Sequence, residues 1–519
     1  MYRTNILEYL ESSAERFSNK IAFSDGMREL SFSDLCEKAK RVGSYLVGRG
    51  YCRECIAIAM KKSVNAISAM LGVVYAGCYY VIIDAEMGEQ RVNEILNKLR
   101  PRAVICEDEM SEPEAENSCV TRDFALFKNL PCSIRKYIFS EVEACPIDNY
   151  TLSSVREKQI DIDPVYVVFT SGSSGEPKGV VASHASVIDY TETICEALGF
   201  DFDTRFANQS PLYFDAPLKE IMPTLKLGAS VFFVPREHFL FPIKLCEFLN
   251  THRINTVCWV SSALSFLSRS GALEANKPEF LKKICFGSEV MSIAEYKKWR
   301  DAYPDAAFVN LYGPTEATGM SCYWIAKREL SENEPIPIGK PFRNTEILLV
   351  CGNRRASKGE CGEICIRGRG VTLGYFGDRE QSNLAFVQNP ILDTYHDRVY
   401  RTGDVGRYNE YGELCFVSRL DRVVKRQGFK VSLDEIESAA EGCDGIARAA
   451  AIYDESERKI LLYYTGVEQG DKLVRNLRAR LSRQSAPDRC IHLEIMPQTA
   501  NGKKDRRALI FASKGGEDK

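Results

Sequence analysis

Four short segments carry side-chain types suited to handling phosphate and carboxylate groups. In Thr170-Ser-Gly-Ser-Ser-Gly-Glu-Pro-Lys-Gly179, five Ser, Thr or Lys donors alternate with three glycines, directly after the apolar run Tyr166-Val-Val-Phe169. Glycines let main-chain amides approach oxygens, and the hydroxyls and Lys178 add further donors, which suits an anionic, polyphosphate-like ligand. The run differs from the nucleotide-binding P-loop, because Pro177 stands where that loop has Gly-Lys-Ser/Thr. Composition alone also allows a plain surface loop, where Ser and Gly are common. Asn310-Leu-Tyr-Gly-Pro-Thr-Glu316 follows a second apolar run; its Gly-Pro pair turns the chain and presents a ring, a hydroxyl and a carboxylate together. Tyr400-Arg-Thr-Gly-Asp404 puts a carboxylate on a turn, as a ribose diol requires, and Asn501-Gly-Lys503 sets a lysine on a tight turn.

These segments need elements to hold them. Up to about residue 160, helical stretches alternate with short apolar strands: Ser33 to Gly48 has helical spacing, and Ile56–Ala59, Tyr79–Ile83 and Ala103–Cys106 read as strands. Glu107 to Glu116 is acidic and polar, an expected exposed loop. Further strands are expected at Ser230–Val234, Thr256–Val260, Lys283–Phe286 and Ala307–Leu311, each preceded by a helical segment, so βαβ units are the economical reading. Glu346–Val350 and Cys361–Arg367 look like a smaller antiparallel module. After Ser418 the charged stretch Arg419 to Gly428 precedes about a hundred residues with their own αβ alternation, marking a second domain. Ser63 to Ile83 carries no charge and is long enough to span a bilayer. Its glycines, Asn65 and strand-like Tyr79–Ile83 favour a buried helix followed by a buried strand.

Bulk properties narrow the class. The 519 residues exceed what one core accommodates. A net charge of −3 gives no reason to expect nucleic acid or an anionic membrane as the main partner. The N-terminus lacks the basic start and apolar run of a signal peptide, so a cytoplasmic protein without membrane insertion is expected. The nineteen cysteines are scattered and read as reduced, packed thiols. Cys52-Arg-Glu-Cys55 has the spacing of half a zinc site, but no matching second pair exists.

In this order and at these distances, the four segments resemble the AMP-forming adenylating superfamily, which includes acyl-CoA synthetases, luciferases and the adenylation domains of nonribosomal peptide synthetases. The resemblance runs from about Thr4 to Arg507. It implies an α/β fold: a large N-terminal domain of layered α/β sheets (1–420) with a small antiparallel β module, and a small mobile α+β C-terminal domain (421–519), hinged near Asp421. ATP and Mg²⁺ are the implied cofactors. By the match, Thr170, Ser171, Gly172, Ser173, Ser174, Gly175 and Lys178 hold the β- and γ-phosphates. Tyr312 stacks on adenine, Thr315 reaches the α-phosphate, and Glu316 ligates Mg²⁺. Asp404 binds the ribose hydroxyls with Arg419 nearby; Lys425 belongs to the same charged stretch. Lys503 bridges the α-phosphate and the substrate carboxylate. Two departures stand out: Ser174 replaces the usual Thr, and Ser418 replaces the usual Gly before Arg419.

Tyr213-Phe-Asp-Ala216 aligns with the segment that, in the amino-acid-activating branch, sets an aspartate against the substrate's α-ammonium. A buried carboxylate needs a cationic partner, which an amino acid supplies and a fatty or aryl acid does not. The bland alternative is an Asp capping the following helix. The branch's remaining pocket positions are Ala216, Lys219, Trp259, Cys285, Gly287, Leu311, Gly319 and Met320. Lys219 either pairs with a polar or acidic substrate side chain or turns outward to solvent. Within the branch the chain looks most like stand-alone adenylation enzymes and D-alanine–carrier protein ligases. Only sixteen residues follow Lys503, so the expected acceptor is the phosphopantetheine arm of a separate carrier protein. An acyl- or aryl-CoA ligase of the same superfamily is the rival reading, and Asp215 argues against it.

Overall fold

Strand Cys55–Ala59 is buried along its whole length, and its side chains alternate: Ile56 and Ile58 enter one apolar cluster, Cys55, Ala57 and Ala59 another. A strand covered on both faces belongs inside a sheet. In the computed structural model it pairs in parallel with Tyr79–Ile83 on one side and Ala103–Cys106 on the other. Arg135–Ile138 closes that edge; Pro164–Ser171, Pro177–Ser183 and Gly374–Tyr375 extend the other, making seven strands. The structure describes residues 3–84, 87, 89–107, 134–171, 177–332, 334–426, 429–454, 457, 459–481, 486–499 and 503–514. Most of the expected loop at Glu107 to Glu116 lies outside these residues.

A nine-stranded sheet faces the first. Ile21–Ser24, Ser230–Phe233, Arg205–Asn208, Thr256–Val260, Lys283–Gly287 and Ala307–Tyr312 lie side by side in parallel. Antiparallel Glu29–Ser31 forms one edge, Cys322–Ile325 and Lys340–Pro341 the other. Helix Val64–Tyr75 belongs to the core that both sheets share, and all of its residues are buried. The Ser63 hydroxyl caps it by accepting the Ala66 N–H at 3.2 Å. The charge-free stretch is therefore a buried helix and an interior strand, as its composition implies. Among the described residues no helix is long and apolar enough to cross a membrane.

Thr345–Cys351, Gly362–Gly368, Arg398–Tyr408 and Leu414–Arg419 build the core of an antiparallel sheet, the expected smaller module. Beyond it come the hairpin Val423–Arg426/Phe429–Ser432, helix Leu433–Glu441 and a three-stranded sheet, Ile446–Asp454, Lys459–Gly466 and Arg489–His492. The described cysteines are all free thiols, and no metal-binding cluster of His, Cys, Asp or Glu occurs among the described residues.

Candidate active site

Pairing between Pro164–Ser171 and Pro177–Ser183 sets Thr170 opposite Lys178. Gly172, Ser173, Ser174 and Gly175 lie outside the described residues, as does the side chain of Ser171. The Lys178 ammonium donates to Gln381 Oε1 at 3.1 Å and stands 5.1 Å from the centre of the Tyr375 ring. Gly374–Tyr375 pairs with Val180 and Val181 on that same strand, and the Tyr375 hydroxyl donates to Glu316 Oε1 at 2.8 Å. One short strand thus ties the candidate phosphate loop to the candidate magnesium carboxylate. The Tyr400 hydroxyl also lies near the Glu316 carboxylate. Burial raises the Glu316 pKa, the two tyrosine hydroxyls oppose that rise, and the Asp215 charge adds to it.

The turn that presents Glu316 is tightly built. At Gly313 a Cβ would lie 2.4 Å from Gly319 O and 2.5 Å from Ser321 N, so only glycine allows the chain to cross itself there. Thr315–Ala317 forms a single 3₁₀ turn, and the two residues after it, Thr318 and Gly319, have φ of 58° and 88°. Left-handed backbone is costly for a β-branched residue and concentrates at functional sites. Thr318 is fully buried, and its hydroxyl donates to Gly370 O at 2.7 Å, which holds the strained residue in place.

Asp404 and Arg419 face each other across antiparallel strands, and the guanidinium donates to Asp404 Oδ1 at 2.9 Å. The Tyr312 hydroxyl donates to Asp404 Oδ2 at 2.5 Å, which brings three predicted nucleotide residues together. The Lys425 backbone lies in the hairpin that follows, opposite Lys430; its side chain is outside the described residues.

Asp215 precedes helix Leu218–Leu227. Burial raises the pKa of its carboxylate, while the nearby Thr315 hydroxyl and the Lys219 and Lys503 charges pull the other way. Lys503 is exposed and lies within electrostatic reach of Asp215. Gly319 opens onto the same space: a Cβ there would be 3.8 Å from Asp215 Oδ2 and 3.9 Å from the Tyr190 ring. Ala216, half-buried, begins the turn into the helix by accepting the Lys219 N–H.

Strand alternation sorts the remaining pocket residues. Cys285, Leu311 and Met320 enter the inter-sheet core that also contains Tyr190. Trp259 does not: it is fully buried in the apolar cluster on the other face of the nine-stranded sheet, and its indole N–H donates to Ala207 O at 2.7 Å. Successive strand residues point to opposite faces, so its neighbour Cys258 takes the pocket side, where it stands opposite Cys285 on the neighbouring strand. At Gly287 a Cβ would come within 2.2 Å of Leu311 O, so this glycine permits close strand packing rather than opening space. Lys219 is 2% exposed, which excludes the outward-turned alternative.

Sequence reasoning missed Tyr375, Tyr400, Thr318 and Cys258. Strict alternation from Cys285 to its register partner would have found Cys258. Nothing local marks Tyr375, whose partner is 59 positions away.

Comparison with known proteins agrees with this geometry. Tyrocidine synthase 3 of Brevibacillus parabrevis is 30% identical, an alignment covering 97% of this chain and 8% of that protein. This chain thus spans less than a tenth of that relative's length. The crystal structure of the four-domain nonribosomal peptide synthetase AB3403, bound to AMP and glycine, superposes with a TM-score of 0.80 at 25% identity over 97% of this chain and 36% of that one. The anthranilate CoA ligase AuaEII in complex with anthranoyl-AMP shares the fold, with a TM-score of 0.85 at 19% identity over 98% and 97% of the two chains. The model of the AMP-binding enzyme family matches residues 10–376, most of the sequence, and this chain belongs to that family.

Proposed function

We propose that this chain uses ATP to activate an α-amino acid as its aminoacyl-AMP, releasing pyrophosphate, and then passes the acyl group to the phosphopantetheine thiol of a separate carrier protein. One observation carries the reading: the Asp215 carboxylate lies within electrostatic reach of both the Thr315 hydroxyl and the Lys503 charge. A group that can hold an α-ammonium thereby sits beside two that can serve the carboxylate and the α-phosphate.

In the first half-reaction a substrate carboxylate oxygen attacks the α-phosphorus. The new O–P bond forms as the bond to the β-phosphate oxygen breaks, and pyrophosphate leaves with the electron pair. Two anions must approach, so Lys503 and Thr315 supply the preorganised cation and donor that offset their repulsion. Thr170 to Gly175 with Lys178 receives the β- and γ-phosphates; Tyr312, Asp404 and Arg419 receive the nucleoside. A single buried carboxylate, Glu316, fits Mg²⁺, which keeps several waters and takes few protein ligands alongside phosphate oxygens. Held there, the ion would neutralise phosphate charge. In the second half-reaction the thiol sulfur attacks the carbonyl carbon, the C–S bond forms, the C–O bond to AMP breaks, and the thiol proton passes to solvent.

ATP–pyrophosphate exchange over L- and D-amino acids, fatty acids and aryl acids tests this reading, followed by transfer to holo-carrier protein or free CoA. Amino-acid-dependent exchange with transfer to carrier supports it. Exchange confined to acids without an amine, with transfer to CoA, replaces it with the CoA-ligase reading.

A further inference from the structure

The Lys219 ammonium is buried beside the candidate substrate site, and no described carboxylate comes within ion-pair distance of it. Its residue is 2% exposed, in the first turn of the helix that follows Asp215. Among the described residues it makes no ion pair and no side-chain hydrogen bond. An isolated buried ammonium is costly unless something compensates it. Three groups sense it electrostatically: Asp215, Glu220 and the Cys258 thiol.

None of these three is bonded to it directly. Asp215 is committed to the substrate amine in the proposed function. The Glu220 carboxylate, itself buried, accepts from Asn208, and burial pushes its pKa up to about 7, so it carries only part of a charge near neutrality. The Cys258 thiol is held neutral by burial. Two further polar atoms lack partners among the described residues: the buried hydroxyls of Tyr166 and Tyr190, both of which sense the Asp215 charge. The pocket thus holds a cation with no directly bonded counter-ion and two unused hydroxyls, all of which can donate a hydrogen bond. A substrate side chain that ends in hydrocarbon would leave all three unsatisfied.

We infer that Lys219 is the counter-charge for a carboxylate on the side chain of the activated amino acid, so that the substrate is an acidic α-amino acid. The inference rests on the amino-acid reading above and deepens it. Asp215 holds the α-ammonium at one end, and Lys219, one helical turn on, receives the distal carboxylate.

The test is pyrophosphate exchange by the wild-type chain and by Lys219→Met, with glutamate and aspartate, their amides, norvaline and glutarate, in both stereochemical series. The wild type should favour an acid over its amide by about 100-fold or more in kcat/KM, the scale set by loss of a buried charge partner. Lys219→Met should lose that preference, with kcat/KM falling far more for the acid than for norvaline. Because the variant could fold poorly, a second readout uses the wild type alone: its thermal stabilisation by glutamyl- against glutaminyl-sulfamoyl adenosine, with the acidic analogue expected to stabilise more. Preference for neutral amino acids, or equal stabilisation by the two analogues, overturns the acidic-substrate inference and leaves the amino-acid reading standing. Exchange with glutarate but with no amino acid overturns both.

Discussion

Lys503 and Lys504 are adjacent but have opposite commitments. Lys504 donates to Glu437 at 3.1 Å and to Glu441 at 2.8 Å, so it holds the C-terminal segment together. Lys503 is exposed and acts on Asp215. Lys503→Ala should slow adenylate formation by roughly 10²–10³-fold, the scale of losing one preorganised charge-stabilising group, without changing the unfolding temperature. Lys504→Ala should lower the unfolding temperature and leave the chemistry within about threefold of wild type, as expected of a residue acting on stability alone. Single-turnover adenylate formation paired with thermal melts separates the two; adenylate formation by Lys503→Ala within tenfold of wild type would remove Lys503 from the mechanism. Glu220 gives a second test at this scale. Its pKa rises from 4.5 to about 7 in the fold, so between those values the folded state binds more protons than the unfolded one. Stability from Glu220 is full below pH 4.5 and is lost as pH rises through 7, by on the order of 3 kcal/mol. Glu220→Gln should flatten that limb in denaturant titrations between pH 4.5 and 8.

At the scale of elements, what could be read in advance was what lies contiguous in the chain. The apolar runs at Tyr79–Ile83 and Thr256–Val260 form strands with the expected limits, because continuous burial on two faces leaves a local signature. The turn at Gly313 follows from a motif that is itself compact. Trp259 shows where this stops: a one-residue choice of face decides whether a strand residue enters the pocket, and the match to the branch's pocket positions chose the wrong one. Tyr375 and Tyr400 were illegible because their relation to Glu316 arises only when separate sheets meet. Helix Leu433–Glu441 offers a further test. Burial would raise the Glu437 pKa, but Lys504, Arg506 and Arg422 hold it down to about 2. A depressed carboxylate stabilises the fold above its unfolded pKa of about 4.5, and that contribution, on the order of 3 kcal/mol, is lost as pH falls through 2. Glu437→Gln should be less stable at pH 7 and should lack this acid-dependent loss; an unchanged acid limb in melts from pH 5 to 2 would contradict the assignment.

Across the whole molecule, side-chain ion pairs change hands over three residues. Arg419 pairs with Asp404 in the antiparallel module, whereas Arg422 pairs with Asp434 and Glu437 beyond it. Asp421 lies between, in the short 3₁₀ turn Leu420–Arg422. In the proposed function one site must first receive ATP and then admit a thiol along the same approach, which requires the part carrying Lys503 to withdraw. Asp421→Pro fixes φ at the changeover and removes a donor. It should spare one half-reaction and impair the other, measured as pyrophosphate exchange and as single-turnover transfer from preformed aminoacyl-AMP. Equal effects on both steps, or none, would place the pivot elsewhere, with Ser418 the next position to test.

The central claim is that Asp215 selects for an α-ammonium. It is tested most directly by pyrophosphate exchange with an amino acid and its des-amino counterpart, in the wild type and in Asp215→Ala. The wild type should favour the amino acid strongly. The variant should lose about 3–5 kcal/mol toward the amino acid, the scale for removing one partner of a buried charge pair, and far less toward the des-amino acid. Equal losses for the two substrates, or a wild type indifferent to the amine, would contradict the account.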